Sequence, residues 1–378
     1  MATKGPGGTA PAAARASAGS TAGQLKFAPS EDFHRVVRKR VDEYFRETGL
    51  SPRDDPRMYR KGAIALAWLV VSYVLLVFVA DALWQAALGV LSLGAAIACV
   101  GFNVMHDGAH HSCSDRAWVN KLAASTLDLL GGSSYIWERK HNTVHHTYAN
   151  ITGYDDDIDV GWLGRLSPQQ KRLPLHRYQH IYIWPFYGLV PFKWFLYDDY
   201  RDALRGRIGD YRIARPRGRD LALFVGGKLT FIALAFAVPL LRHSPAAVAL
   251  GYLGVFAVEG LVMGVVFQLA HCVGDASFPM PDTGTGRMNS GWAAHQVETA
   301  VDYARGNRFV TWFVGGLNYQ IEHHLLPQIC HVHYPALAGI VERTCREFGL
   351  RYKARQTFSA AIVAHYRWLR EMGRPSAA

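Results

Sequence analysis

The chain has 378 residues, half of them hydrophobic, and a formal net charge of +11. Two or three soluble domains would fit that length, but the apolar residues are gathered into runs long enough to span a bilayer, so a membrane protein is expected. The positive charge raises nucleic acid as a partner, yet the basic residues crowd beside the apolar runs with no aromatic-interleaved basic module, which argues for no nucleic acid.

Residues 1–24 are Ala, Gly, Ser, Thr and Pro with little to bury, and predict a disordered tail. No apolar core follows a basic start, so the tail does not read as a cleaved signal peptide. Within 25–62, Phe33, Val36, Val37, Val41 and Tyr44 recur at helical spacing and predict an amphipathic helix over 31–45.

Residues 63–105 hold two apolar runs, 63–80 and 82–105, parted by Asp81 alone. Residues 221–270 hold two more, 221–241 and 246–270, joined at Arg242-His243-Ser244-Pro245. Each run meets or approaches the ~20 residues that cross a ~30 Å hydrocarbon core, and the joints leave room only for tight turns. The expected fold is therefore all-α and integral to the membrane, with four transmembrane helices in two hairpins. Arg35, Arg38, Lys39, Arg40, Arg46, Arg53, Arg57, Arg60 and Lys61 precede the first hairpin, and a second basic set within 165–219 precedes the other. The positive-inside rule then places both termini, and the loops at 106–220 and 271–378, in the cytoplasm.

Between the hairpins, 117–136 is moderately apolar but carries Lys121, Asp128 and Gly131-Gly132. It predicts a helix lying in the interface or buried against protein. Aromatic residues mixed with Arg and Lys over 161–220 have the composition of a membrane-interface belt. Beyond the second hairpin, helices are expected over 292–305, 334–348 and 358–372. The five cysteines form no CxxC pair and include an odd one, which suits a reducing compartment and not a disulfide framework. Cys113 and Cys272 adjoin histidines, but read as small semi-buried thiols before metal ligands.

Eight of the seventeen histidines fall in three short clusters: His106-Asp-Gly-Ala-His110-His111, His141-Asn-Thr-Val-His145-His146 and Gln320-Ile-Glu-His323-His324. On an α-helix the first and second histidines of each six-residue cluster lie within ~40°, and the third lies ~140° from the first. All three histidines of a cluster are candidate ligands, and in the first cluster His110 could stand behind the ions with His106 and His111 as the ligands. Eight or more ligands exceed the three or four that one zinc takes, and the Glu plus Glu-x-x-His pattern of carboxylate-bridged diiron sites is missing. A histidine-rich pair of iron ions with open positions for O2 remains.

With these spacings the chain resembles the membrane fatty acid desaturase family, whose signature is HxxxHH, HxxxHH and [HQ]xxHH in this order. The likeness runs from about Phe33 to Phe348 and includes 131–135, 145–150, Asp155-Asp156-Asp157-Ile158 and 331–335. It implies a helical cytoplasmic cap holding a diiron site over the four crossings, and a narrow tunnel for an acyl chain. The metal residues it implies are His106, His110, His111, His141, His145, His146, His323 and His324, with Gln320 heading the third box as in front-end desaturases. Those enzymes act between an existing double bond and the carboxyl end. The family also draws a histidine from near the cytoplasmic end of the fourth crossing; His271 holds that place, with His295 as rival. His331 and His333 read as capping or packing residues.

The implied reaction uses two Fe ions and O2 to insert a cis double bond into a fatty acyl substrate carried as acyl-CoA, acyl-ACP or acyl-lipid. Many front-end enzymes carry a fused cytochrome b5 domain with a His-Pro-Gly-Gly motif. No such motif occurs here, so electrons are expected from a separate carrier, ferredoxin or free cytochrome b5. The membrane is a bacterial inner membrane, or endoplasmic reticulum in a eukaryote. The same histidines could serve a lipid hydroxylase or ketolase, and a metal transporter or sensor is the rival from another class. Lys228 and Glu259 interrupt the later crossings, and a polar contact between them near the far end of the tunnel is expected.

Overall fold

A computed structural model of the protein describes residues 25–29 and 32–375; the tail expected to be disordered, 1–24, lies outside the described residues. Among the described residues four helices are long and apolar enough to cross a membrane: Pro56–Val79, Leu83–Ala109, Arg219–Leu240 and Pro245–His271, spans 1 to 4 below. Span 1 starts ahead of the apolar run at 63 because Pro56 takes the first helical position and Asp55 accepts a hydrogen bond from the Arg57 N–H. Ser244 caps span 4 in the same way, accepting from the Ala247 N–H. Val70, Val71, Leu88, Leu91, Leu229, Ile232, Leu250 and Leu253 are exposed on the outer faces, a surface suited to hydrocarbon. Spans 2 and 4 meet closely at Gly94, where a Cβ would lie 2.7 Å from the Val255 carbonyl oxygen. The protein is therefore a mostly helical integral membrane protein.

The cap gathers around the ends of spans 2 and 4. The N-terminal helix, Phe33–Thr48, buries Phe33, Val37, Val41 and Phe45. They pack with Leu337, Val341 and Cys345 of the helix Tyr334–Glu347 and with Ile321 and Leu325. Its apolar stripe thus faces protein and not lipid. The helix Phe358–Met372 has the limits its periodicity predicts, with Thr357 accepting from the Ala360 N–H as its cap.

Three sequence expectations need correction. The stretch 117–136 is not one helix but Ala117–Ala124, Thr126–Leu129 and Ser134–Glu138, broken where Gly131 adopts φ 102°. The helix expected over 292–305 stops at Thr299, because Asp302–Tyr303 turns extended to pair in parallel with Ala354–Arg355. Lys228 does not meet Glu259. Its Nζ lies 2.6 Å from Asp199 Oδ2 and 2.6 Å from the Gly131 carbonyl, while Glu259 Oε2 has no hydrogen-bond partner among the described residues. The segment after Pro191 fills the space between spans 3 and 4 with Phe195, whose ring packs against Phe231 and Phe256, and delivers Asp199 to the lysine.

Lys228 and Asp199 are both buried, so removing one partner strands the other charge. Lys228→Met is expected to cost about 3 kcal/mol, and Lys228→Met combined with Asp199→Asn to recover most of it. Unfolding in detergent micelles by denaturant titration measures both.

Candidate metal centre

Span 2 passes through a π-helical stretch, Gly101–Met105, into His106–Ala109, and the helix ends at His110. His106 and His110 point the same way, ring centroids 4.7 Å apart. At His111 the backbone turns to φ 57°, a left-handed conformation rare outside glycine, and the ring swings to the surface. Its Nε2 lies 3.2 Å from Glu138 Oε1, and the side chain is 59% exposed. His110 is buried among the other imidazoles, whereas the ring of His111 lies outside them.

The second cluster sits on a π-helix, Arg139–His145, closed by a bond from the His146 N–H to the His141 carbonyl. A π-turn aligns residues five apart, where an α-turn aligns residues four apart. His146, ~140° from His141 by α-helical geometry, therefore lies with its Nε2 3.2 Å from His141 Nε2. The same atom is 3.0 Å from His323 Nε2 of the third cluster, carried on the helix Gln320–Leu325. His106 Nε2 is 3.2 Å from His141 Nε2.

The imidazoles form two groups: His106, His110, His141 and His323, and His145, His271 and His324. Within each, the possible ligand atoms lie within 4.8 Å of one another. His146 sits between them, stacked on His324 at 4.4 Å and edge-on to His110 at 4.6 Å. Gln320 lies at the second group, its side-chain amide 2.9 Å from His271 Nε2. His295 does not join: its Nε2 bonds the Ala149 carbonyl at 2.9 Å. All five cysteines are buried; Cys113 packs with Met58 and Cys330, and Cys272 with Ile158 and Tyr187. His331 is no simple cap, since its ring joins Asp107 Oδ2 at 2.8 Å to Lys61 Nζ at 2.7 Å.

The donor chemistry fits bound cations. The Nε2 atoms of His110, His145 and His324 are buried without a hydrogen-bond partner, a costly arrangement unless something else takes their lone pairs. The outward nitrogens are held: His145 Nδ1 by Asp155 at 3.1 Å, His271 Nδ1 by the Thr299 carbonyl at 3.1 Å, and His324 Nδ1 by Gln296 Oε1 at 2.8 Å. An acceptor at Nδ1 fixes the proton there and leaves the Nε2 lone pair facing inward. Burial, then the neighbouring imidazoles, hold His110, His141, His146, His323 and His324 well below the usual histidine range, in the neutral form a metal needs. His145 differs. Burial pushes it down, but the carboxylates of Asp155 and Asp157 together raise it.

Asp155 and Gln296 are the residues that sequence reasoning missed. The acidic run 155–157 so soon after the second cluster was a legible signal for the first; nothing local marks Gln296. Asn150 was missed too: its amide donates to the carbonyls of His271, Ser277 and Thr299, tying the exit of the second cluster to the end of span 4. A cavity of about 260 Å³ opens beside His106, His141 and Gln320, with Met105, Trp137, Phe267 and Leu317 in its apolar wall. Trp137 stacks on His141 at 4.3 Å.

The fatty acid desaturase family model matches residues 82–356. A protein of Arthrospira platensis named sn-1 linoleoyl-lipid 6-desaturase is 41% identical over 93% of this chain and 96% of its own length. Its namesake from Synechocystis sp. is 40% identical over 94% and 99%. An acyl-lipid (8-3)-desaturase of Physcomitrium patens is 36% identical over 92% of this chain and 72% of its own length.

Asp155→Asn keeps the shape but removes the charge that orients His145. Affinity for ferrous iron, measured by chelator competition on the purified protein, is expected to fall about 10- to 100-fold; an unchanged affinity would show that the carboxylate only packs.

Proposed function

The chain belongs to the fatty acid desaturase family and is an oxidoreductase, and within that family we propose a front-end desaturase acting on an unsaturated acyl chain held by a lipid. The observation that carries the metal reading is the pair of buried imidazole groups, the first of which borders a largely apolar cavity through His106 and His141. The proposed ligands are His106, His110, His141 and His323 for one iron ion and His145, His271 and His324 for the other, with His146 between them and Gln320 steadying His271. His111 is left out of the set. His295 has a structural part.

Iron held by these imidazoles would supply the oxidising chemistry that no acid-base side chain can perform on an unactivated methylene. The protein's own tasks are positional. The cavity wall at Met105, Phe267 and Leu317 offers the chain an apolar surface beside His106 and His141, and a bound chain would displace water from there. Trp137 fixes the plane of His141 from behind. Asp155, the Thr299 carbonyl and Gln296 keep three rings from rotating away. Which methylenes are oxidised follows from how deep the chain lies against His106 and His141.

The relatives' names favour a linoleoyl lipid as substrate and position 6 for the new cis bond. The active site and both termini face the cytoplasm by the positive-inside rule, and a separate carrier supplies the electrons. Expression in a host whose lipids contain linoleate tests the whole reading. Mass spectrometry should find a product two hydrogens lighter with its new double bond at carbon 6. His145→Ala should abolish it, whereas His111→Ala should retain it. Gain of an oxygen atom would favour a hydroxylase, and retained iron without O2 consumption would favour a transporter or sensor.

A further inference from the structure

The N-terminal helix Phe33–Thr48 turns its apolar face into the cap and the opposite face to solvent. On that outer face Arg35, Arg38, Lys39, Asp42 and Arg46 fall within ~100° of one another at ~100° per residue, and all five are exposed. An open hollow runs along the stripe, lined by these residues together with His34 and Glu43. Four cations against two carboxylates leave it positive. The ion pairs within it, Arg35 with Asp32 at 2.8 Å and Lys39 with Glu43 at 3.9 Å, are exposed and weak. Arg38 and Arg46 make no ion pair among the described residues.

His34 leads inward from this hollow. Its ring lies edge-on to Trp292, centroids 5.3 Å apart. The Trp292 indole N–H donates to the His146 carbonyl at 3.0 Å. His146 is the ring between the two imidazole groups, its Nε2 3.0 Å from His323 Nε2 and 3.2 Å from His141 Nε2. One ring contact and one hydrogen bond therefore connect a basic surface to the middle of the metal centre.

We propose that the outer face of the helix Phe33–Thr48 is the docking surface for an acidic protein carrying a one-electron centre, and that electrons enter the metal centre through His34, Trp292 and His146. The inference rests on the desaturase reading above. In each turnover a –CH2–CH2– unit, one O2, two electrons from two reduced carriers and two protons from solvent give –CH=CH– and two waters. The carriers are oxidised and O2 is reduced. A cationic face steers and orients an anionic partner during encounter, which suits a carrier that must dock and leave twice per cycle. The same face could attract anionic lipid headgroups, but its placement beside His34 and Trp292 gives no advantage to a lipid.

The test uses the whole protein in nanodiscs of neutral lipid, with an acidic [2Fe–2S] ferredoxin as probe. Binding of the oxidised ferredoxin, read by interferometry without turnover, should weaken as salt rises from about 0.05 to 0.3 M. Arg38→Glu, Lys39→Glu and Arg46→Glu together should raise Kd at least about tenfold, and leave turnover driven by a small chemical reductant unchanged. Trp292→Leu should leave Kd unchanged and slow the oxidation of bound reduced ferredoxin in a single turnover, with iron content as in the wild type. If its iron content falls, Trp292→Phe, which keeps the ring and loses the N–H, takes its place in the same measurement. Ferredoxin binding by the triple variant within about twofold of wild type would overturn the proposal. So would unchanged electron transfer in the Trp292 variant, or a triple variant that loses affinity only for vesicles of anionic lipid. Failure of the desaturase reading itself looks different, since no product would then form with the chemical reductant either.

Discussion

The structure depends on keeping a dense group of neutral imidazoles buried with their lone pairs facing one another. His106, His141, His146 and His323 bring Nε2 atoms to 3.0–3.2 Å of a neighbour. Neutral rings at such spacing gain little from each other, and the stranded Nε2 atoms of His110, His145 and His324 gain nothing. Positive ions at the centre would turn this cost into the binding energy of a site. The rings are held from behind so that the cost cannot be escaped by rotation: Asp155, the Thr299 carbonyl and Gln296 each occupy an outward nitrogen.

That requirement explains the architecture around the site. Spans 2 and 4 approach closely at Gly94 and carry His106 and His271 to the same level at their ends. Asn150 ties the turn after the second cluster to the end of span 4 through three carbonyls. The third cluster is anchored on its far side, where the Ile321 N–H bonds Asp302 and Tyr352 bonds both Asp302 and Glu322. Burial pushes the two carboxyls up, Asp302 to about 6 and Glu322 well above its usual value. Tyr352 bridges the two carboxyls by hydrogen bonds and so braces the third cluster from behind.

Much of this was legible in the residues. Four apolar runs with short joints point to hairpins of spans, and histidine pairs at three sites point to a shared site. The ligand set was less legible because angles on an ideal α-helix were the wrong ruler. His146 reaches His141 only through a π-turn, and His111 leaves because the backbone turns left-handed directly after the helix ends. Neither departure is written in the spacing. Lys228 was paired with the wrong carboxylate because depth in the bilayer was known but the insertion of Phe195 and Asp199 between the spans was not. Gln296 and the Thr299 carbonyl were invisible, being second partners that only tertiary contact reveals.

The central claim is that these rings hold two iron ions close together in a nitrogen-rich shell. X-ray absorption on the purified, iron-loaded protein addresses it directly, with metal content measured on the same sample. Two irons per chain, a first shell dominated by nitrogen with imidazole outer-shell scattering, and no sulfur ligand are the predicted result. One metal per chain, or zinc in a four-ligand shell including a cysteine sulfur, would contradict it.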